Sequence, residues 1–228
     1  MKQKVIHIDG RNCHIYQSEQ PDFLLVQPID KHDLELMDQE VAAIQRQTAK
    51  AFTLAAFEVG DWQNELTPWT APAAFGKTPF GDGAVKTLDF VTHELIPVLR
   101  QLQLLGDRSM RLLLGGYSLA GLFALWAAYN TPVFHGIAAV SPSVWYQGWA
   151  NYAMASTPQS AAIYLSLGDK EERTLNPIMA QVGTRIRHQH QLLSTQGVTT
   201  TLEWNPGNHF QDSDARIAKA FVWLMNNL

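Results

Sequence analysis

Gly115-Gly116-Tyr117-Ser118-Leu119-Ala120-Gly121 follows the apolar run Met110-Arg111-Leu112-Leu113-Leu114. A buried strand runs into two glycines, a serine and an apolar helix, which is the layout of a nucleophile elbow of the G-x-S-x-G type. A serine on so sharp a strand-to-helix turn needs tiny residues two before and two after it. Gly116 and Ala120 fill those positions. Leu119 supplies the N–H after the serine, at a helix N-terminus where a developing oxyanion is favoured. The competing reading is a glycine-rich turn that binds a dinucleotide. The glycines do not fall as G-x-G-x-x-G. The next strand ends in Val140-Ser141-Pro142, without the acidic residue such a site requires.

A nucleophilic serine needs a base, and four histidines follow Ser118. His135 precedes the apolar strand Gly136 to Val140, at the sheet edge opposite the one where active sites form. His188 and His190 sit in a polar helical stretch, Arg185 to Leu193. His209 lies in Asn205-Pro206-Gly207-Asn208-His209-Phe210, the loop between a strand-like run, Thr199 to Trp204, and a last amphipathic helix. The carboxyl end of the final strand is where an α/β sheet places such a group, so His209 is the expected base.

No Asp or Glu lies between Leu119 and Gly168. The carboxylates left before His209 are Asp169, Glu171, Glu172 and Glu203. Glu203 is inside the last strand. The other three cluster just beyond the strand Ala161 to Leu167. The chain order is therefore serine, acid, histidine, with three acids open.

Five segments in order resemble a family of α/β-hydrolases, the esterase family that includes S-formylglutathione hydrolase (esterase D), feruloyl esterases and siderophore esterases. They are Glu65-Leu66-Thr67-Pro68, Phe90-Val91-Thr92-His93-Glu94-Leu95-Ile96-Pro97, the elbow with its helix, His135 to Val140, and Ser141-Pro142-Ser143-Val144-Trp145. The likeness runs from about Phe23 to the C-terminus and is nearest to the small siderophore-esterase-like members. It implies an α/β-hydrolase fold and an acid three residues after a glycine, which in Gly168-Asp169-Lys170-Glu171 is Glu171. It implies a second oxyanion donor at the end of the third strand. There Pro28 has no N–H, and Ile29 is the aligned residue. It also sets the S-P-S-x-W segment beside the nucleophile, so Trp145 is expected in the substrate pocket, with Tyr117 and Trp62. Two departures stand out. Family elbows mostly end S-x-G-G where this one reads Ser118-Leu119-Ala120-Gly121, and the third strand ends Val26-Gln27-Pro28-Ile29-Asp30 rather than in L-D-G or S-G-L.

Composition agrees with one α/β domain over residues 1–228. The 228 residues are 46% hydrophobic, enough for a large core. A net charge of −4, with acids and bases interspersed, gives no basic face for nucleic acid. No apolar run approaches the roughly 18 residues of a membrane span. Met1 to Asp9 has no signal-peptide apolar region, and the cytoplasm is the expected compartment. Cys13 is the single cysteine and falls in a strand pattern as a small core residue. Metal-ligand spacings are absent, and no cofactor is expected. The oligomeric state is not encoded in any readable way.

The remaining pattern alternates strands and helices. Lys4–Ile8 and Asn12–Gln17 are joined by Asp9-Gly10, a hairpin signal. Phe23 to Val26 and Phe52 to Phe57 read as buried strands. Asp33 can cap a helix carrying Leu34, Met37, Val41 and Ile44. Leu88, Val91, Leu95, Val98 and Leu102 form one helical face, which Pro97 can bend. The turn-rich segment Gly60 to Gly83 holds Trp62, Trp69 and Phe75 and can wall a pocket. About twenty residues separate the sixth and seventh strands, too few for a large lid domain. The alternation predicts a mostly parallel sheet with helices on both faces. The expected activity is cleavage of a small-molecule carboxylic ester through an acyl-enzyme on Ser118. A thioesterase, an acyltransferase or a non-catalytic binding protein on the same fold are the alternatives.

Overall fold

A computed structural model describes residues 1–105 and 110–228. The hairpin forms as the sequence predicts: β1 (Lys2–Ile8) and β2 (Arg11–Gln17) pair antiparallel through Asp9 and Gly10, both at positive φ. The chain then alternates. β3 (Phe23–Ile29) leads to α1 (Lys31–Gln47), β4 (Phe52–Glu58) to the short α2 (Trp62–Glu65), and β5 (Arg111–Tyr117) to α5 (Leu119–Asn130). β6 (Gly136–Val140), β7 (Ala162–Gly168) and β8 (Thr199–Asn205) follow, with α6 (Trp149–Ala155), α7 (Val182–Thr195) and α8 (Ser213–Asn227) between and after them. The sheet order is β1-β2-β4-β3-β5-β6-β7-β8. β2 is antiparallel to β4, and from β4 to β8 every pairing is parallel. Parallel strands buried on both faces read as apolar runs, and every residue of β3, β6 and β7 is buried.

Each face of the sheet has its own core. Met37, Val41 and Ile44 of α1 join Ile217, Phe221 and Leu224 of α8 on one side. α5 and Ile186 of α7 cover the other. α5 is buried from Leu119 to Tyr129, as an apolar helix with no polar stripe must be. Gly115 makes room for α8: a Cβ there would stand 2.5 Å from Phe221 Cζ.

Two details differ from the sequence reading. The cap of α1 is Asp30, whose side chain accepts from the Asp33 N–H while Asp33 accepts in return from the Asp30 N–H. Asp33 is thus the reciprocal member of a capping box. The helix expected around Pro97 is α3 (Ala84–Asp89), a π-helical turn (Phe90–Leu95) and α4 (Ile96–Gln101) in series. Pro97 cannot donate to the carbonyl four residues back, and the wide turn before it, where Ile96 N–H bonds to Val91 O, takes up the misfit. The helix ends before Leu102, which is exposed.

Candidate active site

Ser118 sits between β5 and α5 with φ 59° and ψ −118°, a conformation L-residues adopt only where the surroundings impose it. The imposing contacts are visible. A Cβ on Gly116 would meet the Ala120 Cβ at 2.5 Å, so Ala120 is tolerated because Gly116 faces it. A Cβ on Gly121 would stand 3.0 Å from Val140 O and 3.1 Å from Gly116 O. The Ser118 N–H bonds to Val140 O, and its carbonyl accepts from Leu122 and Ser143. The Leu119 N–H opens α5, where the helix offers no acceptor of its own.

His209 comes to Ser118 from the loop after β8. Its Nε2 lies 3.1 Å from Ser118 Oγ, and its Nδ1 lies 2.6 Å from Glu171 Oε2. Tyr117 holds it from the sheet side: the phenol O–H donates to the His209 carbonyl at 2.9 Å, and the two rings stand 5.2 Å apart. Burial pushes the Tyr117 phenol up to about 12, so it remains a donor. The other histidines lie elsewhere. His135 Nδ1 accepts from the Leu112 N–H at the amino edge of the sheet, and His188 and His190 are on α7.

The three acids after β7 take three different roles. Asp169 accepts from the Gly207 N–H at 2.9 Å and stitches its loop to that of His209. Glu172 turns to α7, 3.6 Å from Arg187. Glu171 is the one beside the imidazole. Its second oxygen, Oε1, accepts from Ser141 Oγ at 2.6 Å, the Gly168 N–H at 2.7 Å and Arg216 Nη1 at 3.3 Å. Burial alone raises a carboxyl. Here His209, Ser141 and the Gly168 N–H outweigh it and hold Glu171 below the ordinary carboxylate value.

A cavity of about 570 Å³ opens over Ser118 and His209. Trp145 lines it, together with Phe75, Met179, Val182, Phe210, Lys170 and Arg173. Tyr117 and Trp62 are not among its lining residues. Tyr117 is packed beneath His209, in the core that α1 and α8 share, and Trp62 packs on α2 against the opposite core. Ile29 is turned away as well. It pairs with Glu58, and its carbonyl accepts from the Val59 N–H. One residue's N–H and C=O leave a strand on the same side, so the Ile29 N–H faces β4 and not Ser118. The pairing of β3 with β5 ends at Val26 and Leu114, and the next N–H, that of Asp30, is taken by Asp33 Oδ2 in the α1 capping box.

Arg216 and Phe210 escaped the sequence reading. Arg216 is one charged residue in an amphipathic helix, and nothing local marks it as buried. Phe210 follows the base in a polar loop. Its ring is 90% exposed and meets His209 edge-on at 5.4 Å. Among the described residues no group of three or more His, Cys, Asp or Glu side chains is arranged to hold a metal ion, and no helix is long and apolar enough to cross a membrane.

Comparison with known proteins adds the family. The model of the family described as Putative esterase matches residues 33–221. YbbA of Bacillus subtilis (strain 168), named as uncharacterized, is 25% identical over 203 residues, covering 85% of this chain and 80% of that protein. An IroE-like serine hydrolase from Shewanella oneidensis superposes with a TM-score of 0.82 at 14% identity, over 99% of this chain and 81% of that one. Siderophore hydrolase EstB from Aspergillus nidulans gives a TM-score of 0.74 at 18% identity, over 99% and 95%. With its eight-stranded α/β sheet and with the family model matching it over most of its length, the chain belongs to this esterase family and is a carboxylic ester hydrolase.

Proposed function

We propose that the protein cleaves small-molecule esters through an acyl-enzyme on Ser118, with His209 as base and Glu171 as acid. The observation that carries this reading is the unbroken chain of contacts from Ser118 Oγ to His209 Nε2 at 3.1 Å and from His209 Nδ1 to Glu171 Oε2 at 2.6 Å. As Ser118 Oγ attacks the ester carbonyl, His209 Nε2 takes its proton and Glu171 stabilises the imidazolium. The tetrahedral oxyanion is held by the Leu119 N–H. One such donor is worth about 3 kcal/mol to the transition state. Collapse expels the alcohol, which leaves with the proton from His209. A water molecule, deprotonated in turn by His209, then attacks the acyl carbonyl and restores Ser118.

The cavity supports short acyl or aryl groups. Phe75, Trp145 and Phe210 offer ring faces and edges, and only 21 residues separate β6 from β7, so no lid domain is built there to cover a long chain. The test is stopped-flow hydrolysis of 4-nitrophenyl esters from two to twelve carbons. A nitrophenol burst equal to the enzyme concentration with short esters, absent in His209→Ala, is the expected result. Turnover with no dependence on His209, or a preference for the longest chains, contradicts it.

A further inference from the structure

Arg216 is 2% exposed, which is rare for a guanidinium unless its partners are specific. Its contacts converge from three parts of the fold. Nη1 donates to Tyr117 OH at 2.9 Å and to Glu171 Oε1 at 3.3 Å, and Nη2 donates to the Pro206 carbonyl at 2.8 Å. Tyr117 is the residue before the nucleophile on β5. Glu171 is on the loop after β7. Pro206 opens the loop that carries His209. Tyr117 closes the circuit, because its own O–H donates to the His209 carbonyl. One planar fork on α8 thus meets the nucleophile strand, the acid loop and the base loop at once.

We infer that Arg216 and Tyr117 form a positioning clamp for the reaction: neither reaches the cavity, and together they fix the His209 ring between Ser118 and Glu171. The inference rests on the Ser118–His209–Glu171 reading above. Two physical consequences follow. A guanidinium fork serves three acceptors in fixed directions, which an ammonium on a flexible stem cannot reproduce. Its charge beside Glu171 also opposes the positive charge on the imidazolium. Among the described residues, the ionisable groups around His209 are Glu171, Lys170 and Arg173 from the loop after β7, Tyr117 from β5 and Arg216 from α8 behind Glu171. Of these three cations, Arg216 alone is buried.

The clamp is tested with Arg216→Met, Arg216→Lys and Tyr117→Phe in the full chain, each normalised to the active fraction titrated by a fluorophosphonate. Arg216→Met is expected to lower kcat about 10- to 100-fold, the scale of a small misplacement of a catalytic group. KM should stay within about twofold, because the cavity wall is untouched. The acidic limb of the kcat/KM profile should move to higher pH, since a positive charge that opposed protonation of His209 is gone. Arg216→Lys should keep the wild-type limb and still lose kcat. Tyr117→Phe keeps the ring contact and loses the hydroxyl; kcat should fall several-fold at unchanged KM. This variant tests the clamp even if Arg216→Met fails to fold. A lower melting temperature with wild-type kcat per titrated site and an unmoved limb in all three overturns the clamp. Turnover retained by Ser118→Ala would instead overturn the catalytic reading beneath it.

Discussion

Glu171 divides its carboxylate between two tasks: Oε2 faces His209 Nδ1 at 2.6 Å, and Oε1 takes the Ser141 hydroxyl at 2.6 Å with the Gly168 N–H and Arg216 beside it. This sharing distinguishes it from its neighbours, since Asp169 holds the Gly207 N–H and Glu172 faces Arg187. Glu171→Gln is expected to lower kcat by two or more orders of magnitude, because an amide stabilises the imidazolium poorly and can favour the wrong tautomer. Glu172→Gln should stay within about threefold of wild type. Equal losses in Glu171→Gln and Glu172→Gln would show that the acid is not localised as the geometry indicates.

The same carboxylate gives an acid-stability signature. Glu171 is held below the ordinary carboxylate range in the fold. Its contribution is therefore complete above about pH 4–5 and is lost as pH falls through the lowered value. Glu40 has the opposite sign. Buried between α1 and β3, with only Gln27 among the described residues donating to it, it is pushed from 4.5 up to about 8. The unfolded chain releases this proton near 4.5 while the folded chain keeps it, so Glu40 costs stability progressively between about pH 5 and 8. Glu40→Gln should flatten the denaturation midpoint over that interval and gain on the order of 1–3 kcal/mol near pH 8. A Glu40→Gln profile parallel to that of the wild type would contradict the assignment.

Substrate preference should follow the cavity wall. Lys170 and Arg173 line it, and Glu171, the one lining carboxylate among the described residues, is already met by His209 and Arg216. An ester whose acyl chain ends in a carboxylate should show kcat/KM about 3- to 10-fold above that of the neutral ester of equal length at low salt. The advantage should shrink with ionic strength and vanish in Lys170→Ala/Arg173→Ala. Indifference to that charge at low salt would remove the two cations from the specificity account.

Phe210 should act on binding without a structural role. Its ring is almost fully exposed at the cavity and touches His209 only edge-on. Phe210→Ala should raise KM for aryl esters several-fold with a melting temperature within about 2 °C of wild type, as expected of a surface residue outside any packed network. Trp145 differs, since it is 6% exposed and packs against Phe75, Phe80 and Tyr146. Its truncation should cost stability as well.

The site was legible where its chemistry is local in the chain. Ser118 announces itself through the small residues that its turn requires, and His209 through its place after the last strand. Glu171 stood among three acids, and only the family likeness separated it from Glu172. Arg216 was illegible because burial of one helix residue depends on what two distant loops place above it. Tyr117 was misplaced for a similar reason: alternation on β5 sets its ring under His209, on the face away from the cavity. Ile29 failed on strand phase, since a one-residue change decides whether an N–H faces β4 or β5. The cap of α1 is Asp30 rather than the Asp33 that the sequence suggests, because β3 ends at Ile29 and the helix begins at Lys31.

The most direct measurement is the site of covalent labelling. The protein, treated with a fluorophosphonate probe and digested, should yield a single adduct, on Ser118. Ser118→Ala should be unlabelled and inactive on short esters, with an unchanged circular dichroism spectrum. An adduct on another residue, or hydrolysis that persists in folded Ser118→Ala, would contradict the account.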